Sequence, residues 1–595
     1  MNFINKENVN KNYTKKFDIT FFYFVIHFFN DFTVKKITFG ETIQLLLMAS
    51  LNPVTGLLGP QRASHLLRRA TLGPNKASID TFANLTAQDA ITDLFLADLD
   101  PQLPLDPMNN SDWIHPNSAH PDTFSSTLST YTSCWWMENM RGSGVNMTGR
   151  MIWFYYTHFP VIMSRIESRP QLPIDYLRLL RYYSLGNFKD LTRAMCIDNA
   201  MLIHLDGHLN IKSVPQENFA REFLELFAVG KGDEIGVGNY TNFTEADVQM
   251  ATKVLTGWGV DTTYQTIDPI TGLPSGKVKS NDGTNSSQHD VNPKTFSSAF
   301  NNTVIQTSNI VGTNTTIQSV HDELDEFLTM VFDSPNTAKN LCRRIYREFV
   351  YFDITPEIET DIIEPLANIL IANNYEIKSV FETLFQSEHF YDEDTPQTSN
   401  HNIGAIIKSP MDLVIGTLRL FELSVPDRDT DLVNNYNLHQ QLINSLSLQG
   451  LELFEPYDVA GHDAYFQVPD FQRYWISSNY LANRYKFIEY LINGYSSNGT
   501  ELVKLDIVQF VRDNCTDPSN ATLLMQELVE WLFPITIDTD RFNYFKNDVL
   551  LDQLSETNWL HEWNNYISSN NDMNVRLQLE SLATAMMQAP EYQIY

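Results

Sequence analysis

The sequence predicts a mainly α-helical, multi-helix globular protein with a small β-hairpin excursion near residues 285–310. Amphipathic segments with a period of about 3.6 residues dominate both halves of the chain. Between them, residues 261–320 are rich in Thr, Asn, Ser and Gly and contain the turn signals TGLPSGK and NDGTNSS. With 595 residues, of which 43% are apolar, the chain can bury a large core.

The first 47 residues differ in composition from the rest. Several lysines precede an apolar run at residues 19–29, as in a signal peptide. The run is rich in Phe and Tyr, lacks a small-residue cleavage site and is too short to span a bilayer. We therefore predict that residues 1–47 are an N-terminal extension outside the core and that translation starts at Met48. A start at Met48 favours a cytoplasmic location, whereas a working leader would direct export.

Composition excludes several classes of protein. A net charge of −31 argues against non-specific nucleic-acid binding, which needs a basic surface. The four cysteines are scattered, without the spacing of a zinc ribbon or a disulfide scaffold. Motifs of nucleotide-binding loops, zincins and serine-hydrolase elbows are absent, and we predict no transmembrane span.

Residues 60–99 are predicted to form two helices with a break at Gly73, followed by a surface loop at residues 100–130. Residues 135–159 are predicted to form two helices that pack through aromatic side chains. His158 lies on this aromatic face, a position more typical of a core histidine than of a ligand. From residue 324 onwards, amphipathic helices return.

Residues 216–227 predict an amphipathic helix, with Phe219, Phe223 and Phe227 on its apolar face. Arg221 lies on the opposite face, with a carboxylate at i−4 and at i+4. We predict that Arg221 points towards the segments bearing Asp206 and Asp247 and forms a covered pocket floor. Its replacement by alanine would then cost about 3–5 kcal/mol, because buried carboxylates would lose their partner.

This part of the chain resembles the signature block of a bacterial family called domain of unknown function 1800. The resemblance is carried by Leu-Gly-Asn-Phe (185–188), Asn-Ala-Met-Leu (199–202), Glu-Asn-Phe-Ala-Arg-Glu (217–222), Leu-Glu-Leu-Phe (224–227) and Leu-Thr-Gly-Trp (255–258). Further matching motifs are His-Leu-Leu-Arg-Arg-Ala-Thr-Leu-Gly-Pro (65–74), His-Asp (289–290) and Lys-Ser-Pro (408–410). The family name implies no activity, but the resemblance implies a sulfatase-like partner protein.

The resemblance covers residues 60–595, which we divide into a helical part at 60–258, the β excursion at 259–320 and a second helical part at 321–595. Polar residues in and around the signature block are the candidate site. The candidates for catalysis are His158, Glu217, Arg221, Glu222, Glu225 and His289. The candidates for binding are Asn187, Asp190, Asp206, Asn210, Asn218, Asp247, Trp258, Asp290 and Lys294. These polar residues can equally form a structural hydrogen-bond network or lie on a solvated surface.

A metal site at His204, Asp206 and His208 would use suitable ligand types. Gly207 is predicted to end the helix between these residues, however, so we predict no metal site, and the sequence leaves any cofactor open. Two functions remain. The first is a binding or accessory protein with a polar pocket, acting with the sulfatase-like partner. The alternative is a hydrolase that uses carboxylate and histidine acid–base chemistry.

Overall fold

Helices make up most of the computed structural model, which describes residues 49–118, 120, 125–166, 169–394 and 402–595. The mainly helical fold class is therefore confirmed. The predictions for residues 1–47 and for a start at Met48 lie outside the described residues. In the part of the chain that is described, no helix is long and apolar enough to cross a membrane.

The first helical part extends to residue 254. Its α-helices are Gly59–Ala70, Lys76–Ala83, Ala87–Leu94, Ser126–Gly142, Thr148–His158, Gln171–Tyr182, Phe188–Cys196, Asn199–His204, Asn218–Glu222 and Glu245–Val254. Two short 3₁₀ turns, Met163–Ile166 and Gly207–Leu209, and a π-helical turn, Phe223–Phe227, connect or extend them. The strands Glu234–Gly236 and Asn239–Tyr240 form a hairpin within this part.

The middle part contains short antiparallel strands. They are Trp258–Gly259, Lys277–Val278, Asn285–Ser286, Lys294–Thr295, Val304–Ile305, Ile310–Val311 and Asn314–Thr316, with a 3₁₀ turn at Ser298–Phe300. The predicted hairpin near residues 285–310 is present, since Lys294 pairs with Ile305 and Thr295 with Val304.

The second helical part begins at residue 317. Its α-helices are Ile317–Phe332, Pro335–Phe349, Pro356–Ile358, Glu364–Ala372, Lys378–Gln386, Pro410–Leu420, Leu432–Leu448, Ser478–Asn493, Ile507–Asn514, Ala521–Leu532, Thr539–Asn543, Glu556–Ser569 and Met573–Met587. The π-helical turns are Glu359–Ile363 and Tyr544–Leu550, and the 3₁₀ turns are Asp463–Tyr465, Phe471–Ile476 and Pro590–Tyr592. A hairpin joins Tyr495–Ser497 to Thr500–Val503.

Strands also form outside the predicted range near residues 285–310. The hairpins at 234–240 and 495–503 lie outside that range. The second has a sequence signal, because Asn498 and Gly499 occupy its two-residue turn, both with positive φ. An Asn-Gly pair is the preferred turn of a tight hairpin, since both central residues need that conformation.

The predicted amphipathic character of residues 216–227 is confirmed. Phe219, Phe223 and Phe227 are buried, whereas Glu217 is exposed and Arg221 is half-buried. The regular α-helix ends at Glu222, and a π-helical turn follows. The wider turn keeps the phenylalanines on the core side while the chain turns away from the helix.

Buried cations hold the ends of several helices against the core. Arg69 donates to the carbonyl oxygens of Phe349 and Val350, where the helix Pro335–Phe349 ends. Arg150 donates to the carbonyl oxygen of Thr71 and to Asp412 Oδ1 at 2.5 Å. A cation at a helix C-terminus satisfies carbonyl groups that have no partner within the helix. These arginines therefore link the motif at residues 65–74 to the second helical part.

Candidate functional site

Several predicted binding residues hold the signature block together. Asn187 caps the helix Phe188–Cys196 and donates to the carbonyl oxygen of Asn374. Asn210 is buried and donates to the carbonyl oxygen of Thr252 at 2.8 Å. Asp247 is buried in the first turn of its helix and accepts hydrogen bonds from the backbone and side chain of Ser297. These polar side chains satisfy buried backbone groups, so they are structural.

His289 and Lys294 form a buried ionic triad with Glu323 of the helix Ile317–Phe332. His289 Nε2 lies 3.1 Å from Glu323 Oε1, and His289 Nδ1 lies 2.8 Å from the carbonyl oxygen of Thr256. Lys294 donates to Glu323 Oε2 and to the carbonyl oxygen of Asp290. Both ring nitrogens of His289 therefore lie close to oxygen atoms of neighbouring elements. The triad fastens the β excursion to the second helical part.

Burial and the neighbouring charges shift the pKa values of Lys294 and Glu323 in this triad. Burial lowers the pKa of Lys294 despite the neighbouring carboxylate. Burial alone would raise the pKa of Glu323, but His289 and Lys294 together hold it below its ordinary value. His289 and Lys294 are fully buried, so a ligand has no access to them.

His158 is a core histidine. Its ring lies among Phe159, Phe188 and Phe227, and its Nε2 donates to the carbonyl oxygen of Phe227 at 3.2 Å. Burial, followed by the charge of Arg344, lowers the pKa of His158 well below its ordinary value. The ring is therefore neutral at pH 7 and enclosed by aromatic side chains, which gives it no route to a substrate.

The polar face of the signature helix is a surface ion-pair network and not a covered pocket floor. Arg221 donates two hydrogen bonds to Glu245, at 2.8 and 3.0 Å, and lies 3.3 Å from Glu217. Its side chain is 29% exposed, and those of Glu217 and Glu245 are 52% and 37% exposed. The prediction that Arg221 faces Asp206 and Asp247 is wrong, because Asp247 turns inwards to Ser297.

Glu222 and Glu225 lie on the same helix face, further along the chain. Glu225 pairs with Lys231. Burial, followed by the charges of Glu225 and Asp458, raises the pKa of Glu222 to about 7. Glu222 therefore holds its proton over part of the neutral range, but the described residues bring no histidine to it as an acid–base partner.

We accordingly expect Arg221→Ala to lower the free energy of unfolding by less than about 1 kcal/mol, since solvent screens a half-exposed ion pair. Urea denaturation of the variant beside the native protein measures the change. A loss of 3 kcal/mol or more in the free energy of unfolding would instead support the buried pocket floor that the sequence predicts.

The other candidates are dispersed. Asp190 and Asp206 are exposed, whereas Trp258 is buried. Asn218 donates a hydrogen bond to the carbonyl oxygen of Leu205. The backbone of Asp290 forms hydrogen bonds with the side chains of Thr256 and Lys294. Within the described ranges, no group of three or more His, Cys, Asp or Glu side chains is arranged to hold a metal ion.

An open cleft of about 1170 Å³ lies beside the signature block. It runs between the helix end at Arg193 and Ile197, the segment 266–288, and the start of the helix Ile317–Phe332. Gly276 fixes the cleft floor, because its amide donates to the carbonyl oxygen of Ile197 at 2.7 Å. A Cβ at this position would lie 2.8 Å from that oxygen, so a glycine is required for the close approach.

Two of the three lysine and arginine side chains that line the cleft are paired with carboxylates. Arg193 pairs with Asp325 at 2.6 Å, and Lys277 pairs with Asp261 at 3.0 Å. Lys279 donates to the carbonyl oxygen of His208 at 2.5 Å. His321 also lines the cleft, and burial, followed by the charge of Arg193, lowers its pKa, so the ring is neutral at pH 7.

Apolar side chains form the rim of the cleft. Ile267 and Ile270 are 45% and 60% exposed, and the hydroxyl group of Tyr182 donates to the carbonyl oxygen of Ile270. This combination of fixed polar groups and exposed isoleucines can hold a ligand that carries both polar and apolar groups.

None of the candidates predicted from the sequence lines this cleft. One local signal was available, because Lys277, Val278 and Lys279 alternate polar and apolar side chains directly after Gly276. The remaining lining residues come from elements that are distant in sequence, so no local pattern connects them.

Fold and cleft together define a mainly helical protein with an open cleft between its β excursion and its helices. The chain belongs to the family described as "Protein of unknown function (DUF1800)", whose model matches residues 65–594. Comparisons with curated proteins and with solved structures give no match.

Proposed function

We propose that this protein is a binding or accessory protein and that its ligand occupies the cleft beside the signature block. The size of the cleft is the observation that carries the proposal. Its volume of about 1170 Å³ contrasts with about 20 and 10 Å³ for two smaller cavities. Specific ligands bind in concave sites lined by apolar surface and a few fixed polar groups.

The lining favours an extended segment of a partner protein. Ile267 and Ile270 offer apolar contacts, and the paired cations Arg193 and Lys277 are held in place by carboxylates. Side chains that are already ordered lose little conformational entropy on binding. The sulfatase-like protein implied by the family resemblance is the partner that we propose.

Two matched variants test the cleft. Ile270→Asp places a charge on the cleft rim, and Val311→Asp places the same charge on the strand Ile310–Val311. Both residues are 60% exposed, but only Ile270 lines the cleft. We expect Ile270→Asp to weaken binding of a purified sulfatase-like protein from the same genome by about tenfold or more, because apolar contact is lost and a charge is desolvated. Isothermal titration calorimetry measures the affinity.

Val311→Asp should leave the affinity within about twofold of the native value. Equal weakening by both variants would place the binding surface outside the cleft. No heat of binding with the native protein would remove the sulfatase-like partner from the proposal.

A hydrolytic role has weaker support. The histidines proposed from the sequence, His158 and His289, are both buried away from the cleft. His321 is the feature in its favour, because it lines the cleft and its ring is neutral at pH 7. If the cleft were catalytic, His321→Gln would abolish turnover of a bound ligand, whereas a binding site would lose only part of its affinity.

A further inference from the structure

A small cavity in the core is surrounded by an excess of positive charge. Its volume is about 20 Å³, enough for one species of about the size of a water molecule. Its polar lining residues are Arg68, Arg150, Lys408, Asp412, Tyr592 and Tyr595. All six side chains are buried, and three of them are cationic whereas one is a carboxylate.

The hydrogen bonds to Asp412 come from groups other than Lys408. Asp412 Oδ1 accepts from Arg150 at 2.5 Å. Its Oδ2 accepts from the hydroxyl groups of Ser409 and Tyr595, at 2.7 and 3.0 Å, and from the amide of Ser409. Asp412 therefore forms an ion pair with Arg150, and among the described residues Arg68 and Lys408 form no ion pair of their own.

Within the described ranges, the ammonium group of Lys408 contacts neutral groups. It donates to the carbonyl oxygen of Tyr592 at 2.6 Å and lies 3.9 Å from the centre of the Tyr592 ring. Burial, followed by the charges of Arg68 and Arg484, lowers the pKa of Lys408 well below its ordinary value, although Asp412 opposes this shift. An ammonium group with three donors and one acceptor is undersatisfied in the core.

Arg150 also has spare donor capacity. In the described part of the chain, Arg150 Nη1 is buried without a hydrogen-bond partner and lies 3.5 Å from Glu348 Oε1. Burial raises the pKa of Glu348 to about 7 despite Arg150, so near pH 7 this carboxyl group is only partly ionised. Glu348 therefore neutralises Arg150 incompletely.

We propose that this cavity is a binding site for a monatomic anion of the halide class, with chloride as the physiological ligand. The cavity is too small for phosphate or a carboxylate ligand, and a single negative charge would compensate Arg68 and Lys408 at the same point. The site lies between the Arg-Arg motif at residues 68–69 and the Lys-Ser-Pro motif at residues 408–410, so the anion would join the two helical parts.

Chloride titration at constant ionic strength tests the proposal, with gluconate as the replacement anion. Because mass action favours the form that binds, we expect the melting temperature of the native protein to rise by about 1–2 °C between 1 and 200 mM chloride. The rise in melting temperature should be larger at pH 6 than at pH 8, because the anion binds the protonated form of Lys408. The charged and aromatic neighbours of Lys408 are Arg68, Arg484, Asp412 and Tyr592.

Lys408→Met removes the cation while keeping the length of the side chain. Lys339→Met is the control, because it removes a lysine that pairs with Glu364 of another helix. The control should keep the chloride dependence and Lys408→Met should lose it. Native crystals soaked in bromide should show one anomalous peak in the cavity. An absent peak, or the same chloride dependence in Lys408→Met, would overturn the proposal and leave a water site.

Discussion

Replacing Glu323 with glutamine should lower the free energy of unfolding by about 3–5 kcal/mol, because a buried charge without its partner is costly. Glu323 is the carboxylate of the triad and contacts both Lys294 and His289. Its neutralisation leaves the buried ammonium group of Lys294 without its ion-pair partner, in a region from which solvent is excluded. The volume of the side chain is unchanged, so the loss reports the charge and not a cavity.

Glu326→Gln is the matched control, since Glu326 is exposed on the same helix. We expect it to change the free energy of unfolding by less than about 0.5 kcal/mol. Urea denaturation of both variants gives the comparison. If Glu323→Gln behaved like Glu326→Gln, the triad would be solvated and would not fasten the β excursion to the helices.

The helical framework could be predicted because it depends on local patterns. The apolar stripe of Phe219, Phe223 and Phe227 follows from residue spacing alone, and burial of these three side chains confirms it. The π-helical turn at 223–227 could not be predicted, since it depends on how the chain leaves the helix against the rest of the core.

Partners of charged residues were harder to predict than helix faces. The sequence places Glu217 and Glu225 one helical turn from Arg221, but the shortest ion pair of Arg221 is with Glu245, on another helix. Glu225 instead pairs with Lys231, beyond the helix end. Helical spacing indicates which groups are near each other locally, whereas tertiary packing decides between these partners and more distant ones.

The cleft could not be predicted for a related reason. Its walls come from Arg193, the segment 266–288 and His321, which no sequence motif joins. The polar residues that the sequence does single out, such as Asp247 and Lys294, are buried and satisfy backbone groups or other charges. These buried polar residues belong to the interior framework of the protein and not to the lining of the cleft.

Arg150→Met should also destabilise the protein by about 3–5 kcal/mol, because Asp412 would keep its buried charge and lose its strongest partner. Arg150 additionally caps the helix Gly59–Ala70 through the carbonyl oxygen of Thr71, so the variant leaves that acceptor unpaired as well. Methionine fills much of the same volume, which limits any cavity.

The double variant Arg150→Met with Asp412→Asn separates these two costs. Asparagine keeps an acceptor for Ser409, which caps the helix Pro410–Leu420, but removes the carboxylate that has lost its partner Arg150. We therefore expect the double variant to lose less stability than Arg150→Met alone, because removing both charges of a buried pair costs less than removing one. Urea denaturation measures both. If the double variant were the less stable of the two, the cost of Arg150→Met would arise from the helix cap and lost packing and not from the charge on Asp412.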